Sequence, residues 1–101
     1  MNKETLIDIL TSESDHLKEL KLAKFRRKLR EKIRTLIINE KFNKLENYDV
    51  SFIKDFSGLF NYSKIKSLKP LRNWNVKNGI DFRYMFCNCF NLESLEGIEN
   101  W

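Results

Sequence analysis

Cys87 and Cys89 stand one residue apart in "MFCNCF" and are the only two cysteines of the 101-residue chain. Thiolates at that spacing make half of a zinc site, but a closed tetrahedral site takes four N or S ligands. The single histidine, His16, lies far upstream. A cysteine nucleophile would need that same His16 as its base, with nothing in the sequence to orient the pair. There is no glycine-rich phosphate loop, no nucleophile elbow and no H-E-x-x-H helix. The chain is therefore read as non-enzymatic, with no catalytic residues, no metal ligands and no cofactor. Cysteines this close in sequence rarely reach disulfide geometry in regular structure, so free thiols are expected.

The other chemically distinctive stretch is "KLAKFRRKLREKIR", Lys21 to Arg34, which holds eight basic residues and one acid. Lys24, Arg27, Lys28, Arg30 and Arg34 are the candidate contact residues for an acidic partner or a phosphate backbone. Of the net charge of +5, residues 1–46 carry +4 and residues 47–101 carry +1. The run lacks interleaved aromatics on its polar side and matches no nucleic-acid-reading motif.

The element that positions these charges is a helix. From about Asp15 to Asn39 apolar residues fall at Leu22, Phe25, Leu29, Ile33 and Leu36, the spacing of one buried stripe. Lys24, Arg27, Lys28 and Arg34 are expected on the opposite side. A shorter amphipathic segment precedes it, with Leu6, Ile9 and Leu10 on one face. Apolar content of 42% with 13% aromatics indicates a folded domain in spite of 33% charged residues.

Beyond Asn47 the chain repeats itself. An offset of 26 places Val50 on Val76, Asp55 on Asp81, Phe56 on Phe82, Leu59 on Met85 and Phe60 on Phe86. An offset of 27 then places Ile65 on Leu92, Ser67 on Ser94, Leu68 on Leu95, Leu71 on Ile98, Asn73 on Asn100 and Trp74 on Trp101. A period of 26–27 lies in the range of leucine-rich repeats, units that bury one face only when a neighbour stacks on them. The four matched phenylalanines read as core, and Trp74 and Trp101 as a stacked ladder.

These residues resemble the BspA-type leucine-rich repeats, also described as the DUF285 repeat of mycoplasmal and other low-GC bacterial proteins. That repeat runs roughly W-x-V-S-x-V-x-x-M-x-x-M-F-x-x-C-x-x-L-x-S-L. Trp74, Val76, Ile80, Met85, Phe86, Cys89, Leu92, Ser94 and Leu95 fill its places, with Phe82 at a usual Met. Gly79 and Ser63 depart from it, at a Val-like position and at the Cys of the first copy. The resemblance spans about residues 33–101. It implies a repeat scaffold used for binding, commonly at cell surfaces, with no catalytic residues.

The expected fold is α/β: an N-terminal helical cap followed by two leucine-rich-repeat-like solenoid units. Residues 1–46 form the helical segment, and residues 49–74 and 75–101 the two units. The expected function is a small binding module that engages a macromolecule through its repeat surface, its basic helix or both. Alternatives are a phage or mobile-element inhibitor of a host ribonucleoprotein acting through residues 21–34, and a fragment of a longer bacterial surface protein. An apolar end at Leu95, Ile98 and Trp101 is the second candidate contact, for a protein partner or a homodimer. No run is long and apolar enough to span a membrane, and no export signal precedes the helix, so a cytoplasmic location is expected.

Overall fold

A computed structural model of the chain describes residues 15–101. The short amphipathic segment around Leu6 to Leu10 lies outside the described residues. Helix α1 runs Asp15–Ile38, about 36 Å of rod at 1.5 Å per residue. Leu22, Ile33 and Ile37 are its buried residues, and Leu29 and Leu36 pack partly against the core. Phe25 meets Phe52 edge to face, with ring centroids 6.0 Å apart.

The helix stops in a Schellman motif built without glycine. Glu40 takes a left-handed φ of 58°, Glu40 N–H donates to Ile37 O at 3.1 Å, and Lys41 N–H reaches back to Leu36 O at 2.9 Å. These bonds satisfy carbonyls that the helix end would leave bare. Two 3-10 turns follow, Phe42–Asn47 and Lys69–Leu71.

The expected α/β leucine-rich-repeat solenoid is not what forms. Among the described residues there is no strand; the two copies share one isolated parallel bridge, Asp55 to Asp81. The reason is visible in the backbone. Gly58 and Tyr62 have φ of 62°, and their matches Tyr84 and Asn88 have φ of 59°. Left-handed residues at every fourth position fold the segment into consecutive turns, and a strand needs successive extended residues.

The turns divide the peptide groups by parity. Leu59, Asn61 and Ser63 donate locally, to Phe56, Gly58 and Phe60 carbonyls. Phe56, Gly58, Phe60 and Tyr62 donate across to the second copy, to Asp81, Arg83, Met85 and Cys87 carbonyls, at 2.8 to 3.0 Å. The first copy is thus layered on the second by alternate amides. Rings lock the same layers: Phe56 stacks on Phe82 at 5.2 Å, Phe60 on Phe86 at 5.4 Å and Trp74 on Trp101 at 6.4 Å.

Candidate partner-binding face

The first copy's own outward carbonyls, those of Asp55, Ser57, Leu59 and Asn61, have no preceding copy to bond. Helix α1 satisfies them with guanidinium groups. Arg30 donates to Asp55 O at 3.0 Å and to Ser57 O at 2.5 Å. Arg34 donates to Leu59 O at 2.8 Å and to Asn61 O at 3.1 Å. Arg26 Nε extends the row to Phe52 O at 2.9 Å. Arginines four residues apart lie in one row along a helix, and each planar fork spans two carbonyls. The expectation that Arg34 projects away from the apolar stripe is therefore corrected: its long stem reaches along the packed face and its head is tied to backbone.

A further layer precedes the two copies. Leu45 and Tyr48 sit 26 residues before Leu71 and Trp74, which sit 27 before Ile98 and Trp101. Trp74 Nε1–H donates to Leu45 O at 2.9 Å, and Trp101 Nε1–H to Leu71 O at 3.4 Å. The 3-10 turn Phe42–Asn47 is thus a shortened copy of the repeat's second half, with Lys32 over the Tyr48 ring at 5.9 Å. The spacing Leu45-x-x-Tyr48 was the available signal, and its tyrosine in place of tryptophan hid it.

Charge alternates from layer to layer at matched positions. Glu40, Lys66 and Glu93 form one file, and Glu46, Arg72 and Glu99 another. Arg72 pairs with Glu46 at 3.0 Å and Lys69 with Glu96 at 3.6 Å. The second copy's layer is the acidic one.

Among the described residues, nothing covers the outer side of that layer. Within the second copy Met85, Cys87 and Cys89 donate locally to Phe82, Tyr84 and Phe86 carbonyls. The alternate amides of Phe82, Tyr84, Phe86 and Asn88 have no partner among the described residues. Phe56, Phe60 and Leu68 are fully buried, while their matches Phe82 and Leu95 are exposed and Phe86 is half-buried. Ile80, Tyr84 and Phe90 add 77%, 72% and 83% exposed apolar side chains to this same copy. A groove of about 740 Å³ lined by Trp74, Val76, Gly79, Phe82 and Trp101 borders it. Gly79 lies against the Phe82 ring, which a Cβ there would have to push aside.

Of the candidate residues, Lys24, Arg27 and Lys28 are exposed on α1, and Arg30 and Arg34 are engaged within the fold. Leu95 is exposed, whereas Ile98 and Trp101 are half-buried against the core. The two groups lie on different layers and are not brought together. Cys87 and Cys89 are free thiols. Cys89 Sγ–H donates to Phe60 O at 2.9 Å, and burial pushes its pKa up. No three His, Cys, Asp or Glu side chains among the described residues are grouped to hold a metal. No helix among them is long and apolar enough to cross a membrane.

Compared with known proteins, residues 22–101 match the family described as "Mycoplasma protein of unknown function, DUF285". The match covers helix α1 from Leu22 and both copies, and the chain belongs to that family. No curated protein and no solved structure matches the chain.

Proposed function

From the premise of a DUF285 chain with one covered and one uncovered copy, we propose a non-enzymatic module that binds another macromolecule through the second copy's outer face. The supporting observation is the asymmetry between matched positions. Phe56 and Leu68 of the first copy are fully buried, whereas their matches Phe82 and Leu95 in the second are exposed. Apolar side chains exposed at positions that are core one layer below are of the kind that mark interaction sites. The finer likeness to BspA-type repeats, carried by Trp74, Val76, Met85, Phe86, Cys89 and Leu92, agrees with a binding role.

The basic helix is the weaker contact, because three of its arginines are engaged by first-copy carbonyls. Affinity capture from bacterial lysate, with and without nuclease, separates the two surfaces. Capture should survive nuclease and Arg27→Glu with Lys28→Glu, and be lost with Tyr84→Asp and Leu95→Asp. Capture that survives the face variants and falls with nuclease or the helix variants would favour a nucleic-acid-associated protein instead.

A further inference from the structure

We propose that the seam between helix α1 and the first copy holds a phosphorylated small molecule, in a cavity apart from the second copy's face. The cavity, of about 400 Å³, is lined by Arg26, Arg27 and Arg30 from α1 and by Ile53, Lys54 and Asp55 from the first copy. That volume falls in the range of small-ligand sites, about 300–1,000 Å³. Four cations and a single carboxylate therefore line one concave site.

The cations are held without being neutralised. Arg26 Nε donates to Phe52 O at 2.9 Å, and Arg30 donates to Asp55 O at 3.0 Å and to Ser57 O at 2.5 Å. A main-chain carbonyl fixes a guanidinium but carries no net charge, so both heads keep their positive charge. A guanidinium has five N–H donors; Arg30 uses two on these carbonyls, and the others remain to meet an anion. Side chains fixed beforehand lose little freedom on binding. Arg27 and Lys54 flank them, both exposed, and their side chains have no partner among the described residues. Asp55 offsets only part of this charge, and its Oδ1 accepts from Ser57 N–H and O–H. Glu19 comes no nearer to Arg26 than 3.9 Å and is 67% exposed.

Phosphate is the complement. Its oxygens are met in pairs by a planar guanidinium, and a phosphate monoester brings about −1.5 to −2 charge at pH 7. Buried Ile53 and the adjacent Ala23 give the cavity an apolar wall for the organic part of the ligand. The groove of about 590 Å³ beside the turn Phe42–Asn47 also has four cations, but there Lys69 and Arg72 are paired with Glu96 and Glu46, and Glu40 joins the lining. A nucleic-acid strand would use Lys21, Lys24 and Lys28, which are exposed on α1 and do not line the cavity.

The test is NMR titration of the full chain with phenyl phosphate and with sodium pyrophosphate, at an ionic strength held constant with sodium chloride. Signals of residues 26, 27, 30 and 53–55 should shift and saturate. Arg27→Gln and Lys54→Gln, whose side chains hold no part of the fold, should each weaken binding about tenfold, the loss of one charged hydrogen bond, at an unchanged Tm. Lys24→Gln with Lys28→Gln, outside the cavity, should change it far less. Shifts that fail to saturate, or that fall as much with the Lys24 and Lys28 variant as with Lys54→Gln, would mean diffuse screening of a basic helix and overturn the inference. Tighter binding of an oligothymidylate strand that needs Lys24 and Lys28 but not Lys54 would assign the charge to nucleic acid and overturn it as well. Tyr84→Asp, on the second copy's face, should bind both phosphates as the wild type does, so this result and that of the capture experiment stand or fall separately.

Discussion

Arg34 of the helix donates both arms of its guanidinium to the first copy, reaching Leu59 O at 2.8 Å and Asn61 O at 3.1 Å. One layer on, the matched carbonyls of Met85 and Cys87 receive Phe60 and Tyr62 amides at 2.8 and 3.0 Å. A side chain therefore does at one edge what backbone does in the interior. Among the described residues, one edge of the stack is closed by arginine and the other meets no further layer.

Removing that closure should destabilise the fold. Arg34→Ala leaves two half-buried carbonyls bare, each lost bond to a charged donor worth about 1–3 kcal/mol, so a total loss of about 2–6 kcal/mol is expected in urea melts. Arg34→Lys should recover only part of it, because an ammonium lacks the fork. Arg27→Ala, exposed on the same helix, should stay within about 0.5 kcal/mol. Equal effects at Arg27 and Arg34 would contradict the arginine row.

The matched phenylalanines should not be equivalent. Phe60 is fully buried and Phe86 is half-buried. Phe60→Ala should cost about 3–5 kcal/mol, and Phe86→Ala about 1–2 kcal/mol in proportion to the area it buries. Equal losses would mean that the second copy is covered as fully as the first.

Several of these relationships were legible in the sequence and others were not. The period of 26–27 and the pairing of Phe56 with Phe82, Phe60 with Phe86 and Trp74 with Trp101 could be read directly, because rings repeat in order. The strand expectation failed at Tyr62, Tyr84 and Asn88. Nothing in a tyrosine announces a left-handed φ, which the stack imposes by tertiary contact. Charge alone points Arg34 to solvent, although a long stem can lie along a packed face with its head on backbone. The donor row at Tyr84 and Phe86 has no sequence signature, since amides are common to every residue.

Acid should weaken the molecule over a defined window. Asp81 is held down to about 2, first by the Arg83 side chain and then by Arg83 N–H. Asp55 is lowered too, chiefly by the Ser57 hydroxyl. With the folded values below the ordinary 3.8, the stabilisation is present above about pH 4 and is lost as pH falls toward 2. The urea midpoint should decline across that window, and Asp55→Asn with Asp81→Asn should flatten the decline. A carboxyl NMR titration placing Asp81 near 3.8 would contradict the pairing.

Thiol chemistry should report the same packing. Denatured protein should react at two cysteines. In the folded chain Cys89, donating to Phe60 O with its pKa raised by burial, should react far more slowly than after unfolding. Cys89→Ser, which places in the second copy the residue that Ser63 is in the first, should fold. Rapid native labelling of Cys89 would contradict its placement.

Amide hydrogen exchange on the chain alone tests the open edge most directly. Gly58, Phe60 and Tyr62 should be protected as members of the bonded interface, whereas Tyr84, Phe86 and Asn88 should exchange near the rate of an unstructured peptide. Equal protection of the two sets, in protein dilute enough to be monomeric, would show the second copy already covered and contradict its role as the binding face.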